Sequence, residues 1–175
     1  MTFHNHTWII TGGAGGIGVE TAKLLIENGA RVMLWDIHLL PLQAIAKEIG
    51  ADYAVVDCTD YEAVSDAIQS AQSAYDRIHG VVHCAGILHT GKFLDADPQK
   101  MANIVTINFT GTLNVAHACL PYLIETKGQF IFLGSISAFQ GAPEFATYGA
   151  SKSAVLNFAQ AMRVELTGTD VHLGV

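Results

Sequence analysis

The feature that most narrows the fold is an apolar run, Thr7-Trp8-Ile9-Ile10-Thr11, that breaks into Gly12-Gly13-Ala14-Gly15-Gly16-Ile17-Gly18. Residues 19–28 then have helical character that ends before Gly29. A buried strand, a glycine bend and a helix, in that order, open a βαβ unit of parallel sheet. Backbone N–H groups and the helix N-terminus of such a bend face an anion, and a side chain there would block its approach. A merely flexible turn is the alternative reading, and the flanking strand and helix weigh against it. The glycines satisfy three spacings at once: Gly13-x-Gly15-x-x-Gly18, Thr11-Gly12-x-x-x-Gly16-x-Gly18 and Gly12-x-x-Gly15-x-x-Gly18. The bend alone does not choose among them.

The alternation continues along the chain. Arg31-Val32-Met33-Leu34-Trp35 reads as a second strand closed by Asp36. An acid there is placed to accept hydrogen bonds from the ribose hydroxyls of a dinucleotide and to repel a 2′-phosphate. Gly15 and Ile37 occupy the places where a cation would welcome that phosphate, so NAD is favoured over NADP. Residues 38–49 read as a helix with Pro41 in its first turn and Gly50 as its stop. Tyr53-Ala54-Val55-Val56 follows as a third strand, leading into Asp57-Cys58-Thr59-Asp60. Asp57 is placed to accept from an adenine amino group, and Asp60 to cap a helix over residues 61–75.

Gly80-Val81-Val82-His83-Cys84 is the fourth strand, and Ala85-Gly86 lets the next loop pass close to a cofactor. His83 reads as a neutral, satisfied histidine tying adjacent strands, the alternative being one that titrates or bonds backbone near a ribose. The loop over 87–97 carries Leu88, His89 and Phe93 as candidate pocket walls. Residues 98–126 read as one long helix, apolar on more than one face, which needs the sheet and a second cover such as a partner subunit. Asn108 falls in its middle, where asparagine is disfavoured without a task, either a proton relay or a bend.

Composition excludes several classes. Half of the 175 residues are apolar and 14% are charged, enough for one core and too little charge for disorder. The net charge of −7 comes with scattered Lys and Arg, against a nucleic-acid surface. No apolar run reaches the ~20 residues that span a bilayer, and no signal pattern opens the chain. Cys58, Cys84 and Cys119 fit neither a zinc site nor a disulfide framework and read as reduced thiols of a cytoplasmic protein. Residues 1–6 are polar and expected to fray. His4 and His6 lack a third ligand, so no metal is assigned.

Chemistry concentrates in Tyr148-Gly149-Ala150-Ser151-Lys152. A tyrosine and a lysine four apart on a helix share a face, and an ammonium beside a phenol favours the phenolate. That pair can exchange a proton near neutral pH, as alcohol–ketone chemistry requires. Ser135 lies 13 residues before the tyrosine, at the end of the apolar run Phe130-Ile131-Phe132-Leu133. YxxxK alone recurs by chance, but the serine and the glycine bend make the combination specific.

With these residues in view, the chain resembles the short-chain dehydrogenase/reductase family across nearly its whole length. The Ser–Tyr spacing and Met162-Arg163-Val164-Glu165-Leu166 are similar to its short-form branch. The resemblance implies a doubly wound α/β fold of the Rossmann type, with strand order 3-2-1-4-5-6 in three layers. It implies Tyr148 as general acid/base, Lys152 on the nicotinamide ribose, Ser135 on the substrate oxygen and Asn108 at a relay water. Thr11, Gly12, Gly16, Ile17, Gly18, Asp36, Asp57, Cys84, Ala85 and Gly86 would contact the cofactor together with Tyr148 and Lys152. It further implies a homodimer or homotetramer acting on a small molecule. His83-Cys84 stands where the branch usually has two asparagines, and a histidine there is similar to the epimerase-like relatives. Residues 170–175 look like a sixth strand, whereas family members usually continue into a nicotinamide-touching loop, a substrate-covering segment and a seventh strand. The expected protein is one domain over 1–175, an NAD-dependent oxidoreductase of secondary alcohols and ketones. The alternatives are a non-catalytic NAD-binding or interaction module and an epimerase or dehydratase.

Overall fold

The computed structural model describes residues 2–175 as a parallel sheet with helices on both faces. In chain order the elements are β1 (Thr7–Thr11), α1 (Gly16–Glu27), β2 (Arg31–Asp36), α2 (Leu39–Ile49), β3 (Asp52–Val55), α3 (Tyr61–Tyr75) and β4 (Gly80–His83). Then come α4 (Pro98–Val105), α5 (Gly111–Thr126), β5 (Gln129–Phe132), α6 (Ala146–Glu165) and β6 (His172–Gly174). The strands lie in the order β3-β2-β1-β4-β5-β6, every pair parallel. The order reverses between β1 and β4, and the crevice at such a switch point is where doubly wound sheets bind ligands.

β1 is buried along its whole length, as a central parallel strand should be. Its alternate residues serve opposite faces. Trp8 and Ile10 pack with Leu34 against Ala22 and Leu25 of α1 and Leu42 of α2. Ile9 joins Val81, Phe130 and Phe132 against Val64 and Ile68 of α3, Val115 of α5 and Val155 of α6. Asp60 caps α3 as the sequence suggests, accepting from the N–H groups of Glu62 and Ala63.

Four expectations need correction. Residues 2–6 are tied down: Phe3 N–H donates to Asn28 O at 2.8 Å and Arg31 N–H to His6 O at 2.9 Å. The Phe3 ring meets Trp8 edge-on, and the His6 ring stacks on His79 at 4.5 Å; Met1 lies outside the described residues. α1 starts at Gly16 rather than at residue 19, because Val19 N–H already bonds Gly15 O and the bend forms the first helical turn. Residues 98–126 are not one regular helix: a π turn, Thr106–Thr110, separates α4 from α5 around Asn108. α5 packs on the sheet and on α3, while Val105 of α4 and Ile124 of α5 stay exposed. Strand ends shift by a residue or two. β6 starts late because Asp170 adopts a left-handed conformation (φ 60°) and pairs with Lys127 at 2.7 Å.

Candidate functional site

A cleft of about 430 Å³ lies over the ends of β1 to β4, lined among others by Gly12, Gly15, Asp36, Asp57, Ala85 and Gly86. Gly12 has φ +62°, and a Cβ there would stand 2.8 Å from Ala85 N. The bend and the β4 loop therefore touch backbone to backbone. Gly18 would drive a Cβ into the Gly12 carbonyl, whereas a Cβ on Gly16 would meet nothing within 4 Å. Gly15 offers α1 no side-chain cap. With Gly15 lining the cleft and nothing near Gly16, the uncapped start of α1 faces open space beside the cleft, which fits a diphosphate.

Thr11 works from behind this cradle. It is fully buried, its Oγ1 lies 2.7 Å from His83 Nδ1, and it accepts from Ala85 N–H at 3.2 Å. It braces the loop rather than facing the cleft. His83 is 3% exposed; burial pushes its pKa down to about 3, with the nearby Lys152 charge adding to the shift. It ties β1 to β4 through Nδ1 as its place in the sequence suggests, but it is not fully satisfied as expected, because the buried Nε2 has no partner among the described residues. Cys84 N–H donates to Thr11 O at 3.1 Å, and burial pushes the Cys84 thiol up to about 11.

Asp36 does more than the sequence indicates. Its Oδ2 accepts from Ala14 N–H and its Oδ1 from His38 N–H, each at 3.1 Å. The carboxylate therefore braces the glycine bend while lining the cleft, and its remaining lone pairs are free for ribose hydroxyls. Asp57 Oδ1 accepts from Thr59 N–H at 2.8 Å and from its hydroxyl at 2.7 Å, which leaves Oδ2 for an adenine amine.

Tyr148 and Lys152 share a face of α6, with Lys152 Nζ 5.9 Å from the Tyr148 ring centroid. Lys152 is 5% exposed and donates to Leu133 O at 2.8 Å. Burial lowers its pKa from the usual ammonium value, partly offset by Cys84. Ser135 ends the extended run after β5, and its Oγ accepts from Ser137 N–H at 3.2 Å. The short turn Ile136–Ala138 so started packs on α6, where Ser153 donates to Ala138 O at 2.8 Å. A Cβ at Gly149 would stand 3.0 Å from Ser137 O, so that approach needs the glycine.

Asn108 is buried in the π turn and spends its amide on two elements. Its Oδ1 accepts from Ile87 N–H at 2.7 Å, and its Nδ2 donates to Ile87 O at 2.9 Å and to Ser151 Oγ at 3.1 Å. The asparagine thus sits in a widened turn and also pins the β4 loop. A Cβ on Gly86 would lie 3.1 Å from Asn108 Oδ1 and 3.7 Å from Lys152 Nζ, so loop, turn and helix converge there. Leu88, Phe93, Ile136 and Phe139 of the flanking loops are exposed, and the Phe145 ring lies 6.3 Å from that of Tyr148. Sequence reasoning missed Ser151 and the Leu133 carbonyl; a buried serine inside a helix was the one available signal for the former.

No helix of the described residues is long and apolar enough to cross a membrane. Residues 6–175 match the short chain dehydrogenase family. An uncharacterised oxidoreductase of Staphylococcus aureus (strain USA300) is 33% identical over 167 residues, covering 93% of this chain and 72% of the relative. A 3-oxoacyl-[acyl-carrier-protein] reductase of Chlamydia trachomatis is 28% identical, covering 97% and 71%. Among solved structures, a short-chain type dehydrogenase/reductase from Mycobacterium ulcerans superposes with a TM-score of 0.94 at 29% identity, covering 98% of this chain and 66% of that one. An NAD+-bound xylitol dehydrogenase gives 0.92 at 26% identity, covering 99% and 71%. The chain therefore spans about two thirds to three quarters of these proteins, and from its sixth residue onward it belongs to the short-chain dehydrogenase/reductase family of oxidoreductases.

Proposed function

We propose that the chain interconverts a secondary alcohol and a ketone with NAD as cofactor, Tyr148 acting as general acid/base. The observation that carries this reading is the buried Lys152 ammonium 5.9 Å from the Tyr148 ring, on the helix against which the Ser135 turn packs. With the Lys152 ammonium on the same helix face, the Tyr148 hydroxyl would give a proton to a ketone oxygen or take one from an alcohol. Ser135 donates a hydrogen bond to the same substrate oxygen. Asn108 would position a relay water, as the family resemblance implies.

The cleft residues suit a dinucleotide. Gly12, Gly16, Ile17 and Gly18 would hold its diphosphate at the start of α1, with Thr11 bracing them from behind. Asp36 would accept from the adenosine ribose and disfavour a 2′-phosphate, and Asp57 would accept from adenine. Cys84, Ala85 and Gly86 would wall the crevice, and Lys152 would hold the second ribose. The nicotinamide, when bound, supplies the hydride acceptor for an alcohol or the donor for a ketone. Two relatives support the reading: an NAD+-bound dehydrogenase of xylitol and a reductase of 3-oxoacyl groups. The proposal includes a single catalytic domain over 1–175, a homodimer or homotetramer, and a cytoplasmic setting with small-molecule substrates. The histidine that motivates an epimerase reading is engaged by Thr11 beneath the cleft and adds no reacting group.

Tyr148→Phe tests the mechanism. Turnover of NADH with a ketone panel should fall by roughly 10²–10⁴-fold, the usual share of a positioned acid/base. NADH affinity, read by fluorescence titration, should stay within about twofold. Unchanged turnover would remove Tyr148 from the role.

A further inference from the structure

Ser151 stands between Tyr148 and Lys152 and is 2% exposed. A serine inside a helix commonly bonds back to a carbonyl of the preceding turn, and Ser151 does so, donating to Tyr148 O at 2.7 Å. That bond alone would be local and without consequence. The second bond is not local: Asn108 Nδ2, from the π turn 43 residues earlier, donates to Ser151 Oγ at 3.1 Å.

The direction of every proton in this chain of bonds is determined. Ile87 N–H can only donate, so the Asn108 atom facing it must be Oδ1. The amide nitrogen then faces Ile87 O and Ser151 Oγ, and a flipped amide would set donor against donor and acceptor against acceptor. With its oxygen accepting from Asn108, the Ser151 hydroxyl has its own proton for Tyr148 O. The backbone of Tyr148, the π turn and the end of the β4 loop at Ile87 are thereby joined through one hydroxyl.

We propose that Ser151 is a positioning residue for the reaction: its hydroxyl sets the Tyr148 turn of α6 against the Asn108-held loop that walls the cofactor crevice. The proposal rests on the assignment of Tyr148 as acid/base for its kinetic consequence, but not for its structural one. Ser151→Ala leaves one amide hydrogen of Asn108 without a partner and lets α6 and the loop settle independently. Reacting groups displaced by a fraction of an ångström lose rate while binding survives.

The test uses the whole chain, with Ser151→Ala and the near-isosteric Ser151→Cys, whose thiol is a poor acceptor. Hydrogen–deuterium exchange at Ile87 reads the clamp directly and needs no activity. It should quicken at least tenfold in both variants, and Ser151→Ala should add nothing when Asn108 is already alanine. In turnover assays kcat should fall about 10- to 100-fold while NADH affinity and KM for the cofactor stay within about twofold. Ile87 exchange as slow as in the unaltered protein, in whichever variant folds, overturns the proposal. So does an undiminished kcat in a variant with quickened exchange. A wild-type chain that binds NADH and turns over no alcohol or ketone would instead defeat the proposed function, with the exchange experiment still deciding the clamp.

Discussion

His83 offers the sharpest test of the buried framework, because its ring is nearly inaccessible and holds Thr11 Oγ1 at 2.7 Å. In the unfolded chain a histidine titrates near 6.5; in the fold, burial and then the Lys152 charge bring this one down to about 3. A group with a depressed folded-state pKa contributes its full stability above the unfolded value and loses it as pH falls from 6.5 towards 3. Linkage gives a slope of about 1.4 kcal/mol per pH unit inside that window, hence a loss of about 2 kcal/mol between pH 7.5 and pH 5. His83→Asn keeps a polar contact for Thr11 and removes the titration. The measurement is urea unfolding followed by circular dichroism at pH 7.5, 6.5, 5.5 and 5.0 for both proteins. The wild-type advantage over the variant should be largest at pH 7.5 and shrink by about 2 kcal/mol at pH 5. His79, whose pKa burial also lowers, is present in both proteins and cancels from the difference. Two stability curves running parallel across the range would show that the imidazole is not held neutral by the fold, and the account of the β1–β4 tie would fail.

Two further outcomes follow from the same packing. Gly12→Ala places a Cβ at φ +62° and 2.8 Å from Ala85 N, and should cost at least about 2 kcal/mol from left-handed strain plus crowding. Gly16→Ala meets no neighbour and should leave the melting temperature level or raised, helix propensity favouring alanine by about 0.5–1 kcal/mol, while weakening NADH about tenfold in a fluorescence titration. Equal effects of the two substitutions on stability and on binding would contradict the division between a glycine needed by the chain and one needed by a ligand. The thiols give an independent check: burial pushes Cys58 up to about 12 and Cys119 well upward, and Cys84 to about 11. At pH 7.5 a chromogenic disulfide reagent should find almost no reactive thiol in the native protein and three in urea, since the thiolate is the attacking species. Rapid native reaction of more than one thiol would place the cysteines elsewhere.

What the sequence made legible was local in cause. The β1 run and its glycine bend, the acid at the end of β2 and the Asp60 cap are each decided by neighbours a few residues away, and each stands where the pattern puts it. The parallel sheet followed from the alternation of strand and helix, and its strand order from the family resemblance. What stayed hidden depends on partners far along the chain. Residues 2–6 looked free because nothing in their own composition announces that Asn28, Arg31 and His79 will meet them. The π turn is a single-residue widening, and the only local hint of it was an asparagine in an apolar helix. Spacing could not say whether that asparagine serves a relay or a bend, because its amide partners, Ile87 and Ser151, lie 21 and 43 residues away.

The same reasoning explains why two residues of equal prominence in the sequence differ in the fold. Thr11 and Asp36 both stand at strand ends facing the switch point, and both read as cofactor contacts. The Thr11 hydroxyl is fully buried and engaged by Ala85 N–H and His83 Nδ1, so the one site it keeps does not face the cleft. A carboxylate has two oxygens with about four acceptor sites, so Asp36 can brace Ala14 and His38 and still present lone pairs outward. Two backbone donors hold the Asp36 carboxylate in place, so, were it to bind a ribose as proposed, little ordering would remain to oppose binding. On the proposed reading, hydrogen-bonding capacity that still faces the cleft after the fold has taken its share, rather than residue type at a motif position, would separate a ligand contact from a scaffold contact at this strand edge.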